Sequence, residues 1–552
     1  MRISLPPALG ARRRKRTAAA AALSVMLLAA GCGGAGGGDR TTDGLVVLSP
    51  SQATSFAADG GATGGADGAE LVMNTGAGLV RNPYVVDEAS GVLKQDWYDF
   101  EPLLAEKYEV SPDGRTYTFT LRRGVLSQSG NELTADDVLW SYERKFASPG
   151  SAKFLNDPII TDPARQIAKV DDYTVTITID DPGEGFTLLS LLANKSGIIY
   201  DSDLLKQHVT ADDPYAVDWS KNNSGWGYGA YQVDRFTPGE ETVLIANPNF
   251  VLGEPAVKKI TYRVVTDPGT RVTALRSGDA DVVTQLRPAD QEALAADGAA
   301  KVFDIKTNLF NRLALITTNA PFDDQRVREA LNYAIPYDRI IDSVYRGMAD
   351  PTKGMLSPDA PGYDGTGITG GTYDPQKAKA LLAEAGHPDG VEFTLTVSSA
   401  VPDMVETAVQ IQSFAKDAGF TVNIDEQPAS AFGSGSIEGI YQSFLARDYS
   451  AVMSPPYELS VWTGKGSNIN YSRWEDESFY AAVAAGIAVG DPLTPEAGAR
   501  WNAAERIMQK ASPMIFIARV RPSVAFSKNT DGYAYRSDNT VDYSQVTLGS
   551  QE

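Results

Sequence analysis

The chain has 552 residues, 43% of them apolar, with 70 acidic and 49 basic side chains, a net charge of −21, one cysteine and two histidines. It is too long for one ordinary core and too apolar for disorder, so two or three globular domains are expected. The acidic balance argues against nucleic acid as a partner, and a lone thiol with two histidines supports neither an internal disulfide nor a His/Cys zinc site.

The first 32 residues are a different material. Arg12, Arg13, Arg14, Lys15 and Arg16 form a basic block, and residues 17–30 are apolar or small. This is the layout of an export signal whose apolar region is too short to span a bilayer and stay. Cys32, the only cysteine, closes the segment in the text LLAAGC, which resembles a bacterial lipobox with Ala29 in place of the more usual leucine. The resemblance implies acylation of Cys32, and the glycine-rich run 33–38 suits a flexible tether. Removing residues 1–32 takes six basic side chains and no acidic one, leaving 43 basic against 70 acidic, or −27. No later segment is long and apolar enough to cross a bilayer.

Taken in order, residues 45–48 read as a strand and the Gly/Ala-rich segment 57–69 as a loop, with Asn74, Thr75 and Gly76 in a turn. Ser111, Pro112, Asp113 and Gly114 form a turn, after which Tyr117, Phe119 and Leu121 alternate with polar residues as a half-buried strand does. Thr134 and Asp137 bracket a helix start. Residues 173–179 are a second alternating strand, and residues 188–192 a helix. In GWGYGAYQV, residues 225–233, the glycines bring the backbone close either to another strand or to a ligand. Strands at 241–246 and 282–283 flank a helix at 270–275.

The stretch 313–345 is the best organised. The apolar run 313–316 reads as a strand, and Asp323 or Asp324 caps the helix that follows. Val327, Ala330, Leu331, Ala334 and Ile335 share a face of it, and Pro336 separates a second short helix ended by Gly347. Asp374 caps and Pro375 starts another helix, stopped by Gly386. Val391, Phe393, Leu395 and Val397, a helix from Met404 to Ala418, and Phe420, Val422 and Ile424 make strand, helix and strand, the unit of a parallel α/β lobe. Residues 515–535 are short strands and turns.

Several of these blocks resemble one family. APFDDQRVREALNYAIPYDRII, EPLLAEKYEVSPDGRTYTFTLRRGV, SGNELTADDVLWSYER, ITYRVVTDPGTRVTALRSGDADVV and YDPQKAKALLAEAGHPDG are similar to family 5 solute-binding proteins, the peptide- and nickel-binding subunits of bacterial ABC importers. GWGYGAY resembles that family's Gly-Thr-Gly-Pro-Tyr loop, with Tyr228 for Thr and Ala230 for Pro. The resemblance runs from about residue 45 to 535 in the family's order. It implies an α/β, two-lobed periplasmic-binding-protein-like (type II) fold with an additional small subdomain in the first lobe. The expected layout is signal 1–32, tether 33–44, first lobe 45–80, small subdomain 81–195, first lobe again 196–314, second lobe 315–516, and a return to the first lobe at 517–552. The chain is expected to cross between lobes near 312–319 and 515–522.

No catalytic set emerges. There is no Gly-x-Ser-x-Gly elbow and no phosphate loop, and Gly365, Gly367 and Gly370 match Gly-x-Gly-x-x-Gly without a preceding strand or an opening helix. His208 and His387 have no partner at ligand spacing. The expectation is therefore a binder without catalytic activity, cofactor or metal. It would be a monomer, lipid-anchored on the outer or periplasmic face of the cell membrane, delivering a peptide to permease and ATPase subunits. An oligosaccharide or another small solute, or a non-transport sensor, stay open beside that reading. The resemblance places Trp226 and Tyr228 on the first lobe's side of a ligand cleft and Tyr457, Glu458 and Trp462 on the opposite side, and Asn74 and Thr75 are expected to bind ligand as well. Peptide-binding members carry text like Asp-Tyr-Pro-Asp-Pro in that second segment, where an acid meets the peptide's amino group. Here the Asp-Pro pattern is missing, and Glu458 is expected to be the acid left near it.

Overall fold

A computed structural model describes residues 44–57, 59, 66–148, 151–450 and 452–549. Cys32, the signal segment and all of the expected tether but Gly44 lie outside the described residues. Among the described residues no helix is long and apolar enough to cross a membrane.

Three sheets carry the fold. A seven-stranded sheet runs in the order Tyr231–Thr237, Glu241–Ala246, Lys259–Val264, Gly44–Ser49, Val282–Thr284, Val524–Phe526, Lys301–Val302. A six-stranded sheet runs Ala349–Pro351, Met514–Val520, Leu309–Leu315, Ser443–Tyr449, Val391–Ser398, Phe420–Gln427. A four-stranded antiparallel sheet, Ala105–Val110, Thr116–Leu121, Thr174–Thr178 and Ile167–Asp171, belongs to the small subdomain. In Thr116–Leu121, Tyr117, Phe119 and Leu121 are buried while the threonines between them are half-buried, as period-two alternation requires. Thr134 and Asp137 do open a helix, Ala135–Ala147, with the Asp137 carboxylate accepting from Thr134 N at 2.7 Å.

In the second lobe Val391–Ser398 and Phe420–Gln427 pair in parallel through the helix Pro402–Ala415. Gly419, at φ 91°, turns the chain where a residue with a Cβ would be strained. Asp324 caps Gln325–Ala334, accepting from Arg326 N at 2.8 Å, and Asp374 caps Pro375–Glu384, accepting from Lys377 N at 3.0 Å.

Two expectations are corrected. The segment read as a loop at 57–69 and a turn at 74–76 contains the helix Ala66–Thr75, so Asn74 and Thr75 end a helix. Gly/Ala-rich text carries little apolar period, and burial of Leu71 and Val72 against the first lobe supplies what propensity does not. The passages between the two large sheets fall at 303–308 and 521–523, because Leu309–Leu315 and Met514–Val520 lie wholly in the six-stranded sheet. The first had been expected at 312–319. Asn311 and Arg312 break the apolar text, yet both are buried in the strand, so its first half is invisible to pattern alone.

Candidate functional site

The helix Pro455–Thr463 follows the strand Ser443–Tyr449 and is buried along almost its whole length. Ser454 precedes it, and Pro455 and Pro456 set its first turn, where a missing N–H costs nothing. Glu458 and Trp462 stand four residues apart and so share a face. That face lies on side chains of the six-stranded sheet. The Trp462 ring covers the Arg312 guanidinium, whose carbon is 4.9 Å from the ring centroid, and meets Phe310 edge-on at 6.0 Å. Arg312 in turn donates from Nε to Asp448 at 2.7 Å.

Glu458 is 4% exposed. Burial pushes its carboxyl up to about 8, against the opposing pull of the Ser450 hydroxyl and of Arg519. Arg519 donates from Nη2 to the carbonyls of Met355 and Leu356 at 2.7 and 3.0 Å. Glu505 takes the amides of the same two residues on Oε1, at 2.9 and 3.0 Å, and burial raises it to about 7. The charges of both carboxyls act on the Arg519 guanidinium, whose own pKa burial lowers. From the first lobe the phenol of Tyr98 is buried without a partner and is raised in pKa by burial first and then by the charges of Glu458 and Asp359.

Arg519 also lines a cavity of about 270 Å³ that touches both passages between the sheets, with Lys306, Thr307, Lys353, Asp359 and Tyr363 among its walls. Among the described residues no group of three or more His, Cys, Asp or Glu is placed to hold a metal ion.

The other expected site residues divide. Tyr228, Tyr457 and Trp462 belong to one apolar cluster that spans the small subdomain and the helices of residues 455–511. Within it the Tyr457 hydroxyl donates to Leu155 O at 2.9 Å, and the Tyr228 hydroxyl is buried without a partner. Trp226 is 2% exposed in a different core, its indole N–H donating to Asn223 O at 3.0 Å and its ring 4.7 Å from that of Tyr200. Asn74 donates to Glu70 O and Val541 O, both at 2.8 Å, and accepts from Tyr543 N at 3.1 Å, tying the C-terminal return to the first lobe. The Thr75 hydroxyl donates to Leu71 O. The close approach allowed by the glycines of GWGYGAY is to this helix end: a Cβ on Gly227 would stand 2.1 Å from Thr75 O, and one on Gly229 2.4 Å from Thr75 C.

Asp448, Tyr98, Glu505 and Arg519 were not expected at the site. Asp448, a second acid ten residues before Glu458, is already paired with Arg312. Arg519 did carry a signal, being a lone cation within the apolar strand text MIFIARV.

Comparison with known proteins places the chain in a family. The chain is 28% identical over 467 residues to Di/tripeptide-binding protein 2 of Pseudomonas aeruginosa, covering 81% of this chain and 86% of that protein. It is 27% identical over 455 residues to Heme-binding protein A of Haemophilus influenzae, covering 79% and 82%. Among solved structures, the periplasmic binding protein DppA from Helicobacter pylori, in complex with the peptide STSA, superposes with a TM-score of 0.78 at 24% identity, covering 92% of this chain and 98% of that one. Residues 99–470 match the model for the bacterial extracellular solute-binding proteins, family 5, and the chain belongs to that family.

Proposed function

We propose that this chain is the substrate-binding subunit of an ABC importer, capturing a peptide between its two lobes and passing it to a membrane permease driven by an ATPase. The observation that carries the peptide reading is Glu458, a buried carboxyl held at about 8 beside Arg519 and a second raised acid, Glu505. An ammonium entering such a group allows the carboxyl to ionise, gaining a charge-assisted hydrogen bond in a dry site. The names of relatives that bind di- and tripeptides support the same class. In this reading Glu458 takes the peptide's amino group and Trp462 lines its wall. Trp226, Tyr457, Asn74 and Thr75 shape the lobes rather than touch the ligand.

The bond is worth roughly 1.5 to 3 kcal/mol, about a tenfold to hundredfold in affinity. Glu458→Gln should therefore weaken binding of a free-amine di- or tripeptide by that factor and leave its N-acetylated form almost unchanged, as read by titration calorimetry. Equal affinity of both proteins for the free-amine peptide would remove Glu458 from the site. Failure of a whole peptide library to bind would move the reading to an oligosaccharide or another small solute.

Cys32 is the proposed lipid attachment, several acyl chains at roughly 0.8 kcal/mol per buried methylene giving a firm hold on the membrane. Cys32→Ser should move the protein from the membrane fraction to the supernatant with its fold intact, and a variant that stays with the membrane would refute the anchor.

A further inference from the structure

The four-stranded subdomain has no chain passage to the second lobe, yet the two share one buried apolar cluster. Phe119, Ile177 and Leu188 of the subdomain belong to it together with Leu459, Phe479 and Trp501 of the second lobe. Polar contacts are set into the same boundary. The hydroxyls of Thr187 and Ser454 lie 2.7 Å apart, both buried, and the Tyr457 hydroxyl donates to Leu155 O at 2.9 Å.

The most specific contact is made by a residue without a side chain. A Cβ on Gly183 would stand 2.8 Å from Ile487 O and 3.0 Å from Gly490 O, backbone atoms of the opposite lobe. Gly183 is not among the residues with positive φ, so its own backbone accepts a side chain without strain. The crowding at this position comes from the opposite lobe and exists only when the two surfaces are together.

We infer that this boundary is a closing latch: the small subdomain grips the helices Pro455–Thr463 and Glu477–Ile487 of the second lobe and helps set the balance between open and closed lobes. Lobes joined by two short passages close by hinge motion, and any contact made only in the closed state shifts that balance. Tyr457 then acts on solute affinity through the latch, by its bond to the subdomain. The inference rests on the solute-capture reading for its effect on affinity, and its first test needs no solute.

The test compares the mature wild-type protein with Gly183→Val by small-angle scattering and amide hydrogen exchange, without added solute. The variant is expected to show a larger radius of gyration and about tenfold or faster exchange in segments 182–192 and 455–463, with the core strand 391–398 unchanged. An unchanged radius with unchanged exchange would overturn the latch, as would exchange that rises equally in the core strand, which marks ordinary loss of stability. Should Gly183→Val not fold, Thr187→Ala combined with Ser454→Ala carries the same comparison with a smaller expected shift. In a second arm the dipeptide Met-Leu is titrated. If it binds the wild type, Gly183→Val should weaken it about tenfold or more, and equal affinity would overturn the latch. If it does not bind, the peptide reading suffers while the scattering result still decides the latch.

Discussion

The loop at residues 225–229 and the helix Pro455–Thr463 were expected to be the two walls of one cleft, and each joins aromatic side chains to a break in regular structure. Their physical states differ. In the loop, the Trp226 indole N–H is bonded to Asn223 O and the space cleared by Gly227 and Gly229 is filled by the backbone of Thr75. In the helix, Glu458 is buried with a raised pKa beside Arg519, and Trp462 covers the Arg312 guanidinium. In the loop the Trp226 N–H and the space beside the glycines are taken up by the protein, which is packing, and the Tyr228 hydroxyl alone is left buried without a partner. A buried carboxyl with a raised pKa is a place where a ligand can contribute, because a group that favours its charged form gains a charge-assisted hydrogen bond there.

Substitutions can break this comparison. The largest effect is expected for Trp226→Ala, which should cost about 3–5 kcal/mol of stability in urea unfolding, the range for emptying a large aromatic from a core. A loss well under 1 kcal/mol would return Trp226 to the cleft wall.

Glu458→Gln should act in the opposite direction and only at high pH. The folded chain holds this proton up to about pH 8, whereas the unfolded chain releases it near its ordinary value of 4.5. Wild-type stability is therefore undiminished by this group below about pH 4.5 and falls as pH rises toward 8. The variant should match wild type at pH 4 and exceed it by on the order of 4–5 kcal/mol at pH 8.5, with equal stability at both pH values counting against the buried-acid reading. If the carboxyl ionises on meeting an ammonium, binding of a free-amine peptide near pH 7 should also release close to one proton in wild type and almost none in Glu458→Gln. Calorimetry in buffers of different ionisation enthalpy reads this directly.

The smallest effect sharpens the loop's side of the comparison. Gly229→Ala should destabilise by roughly 1–3 kcal/mol, since its Cβ meets backbone that cannot swing aside. It should leave the affinity of the folded fraction close to wild type, and a selective loss of affinity would mean that the loop faces ligand.

Much of this is legible in local sequence. Asp324 and Asp374 as helix caps, the turn at 111–114, the capping box at Thr134 and Asp137, and the strand, helix, strand unit at 391–427 all follow from local chemistry. The passage at 303–308 and the helix Ala66–Thr75 did not, since each depends on burial conferred by distant residues. In the candidate site, the sequence pointed to the segment 454–462 but not to the residues that pack near it. Arg519 is some sixty residues further along, on a different strand, and Tyr98 comes from the other lobe.

The sequence by itself determined the family, the order of elements and the location of most caps and turns, because these rest on periodicity and short-range hydrogen bonding within a few residues. Only the tertiary structure decided that GWGYGAY is packed against Thr75, that Asp448 is spent on Arg312, and that Glu458 is buried beside Arg519. Those outcomes turn on which groups are brought together from separate parts of the chain and shut away from water, and desolvation is a property of the assembled fold that local text does not encode.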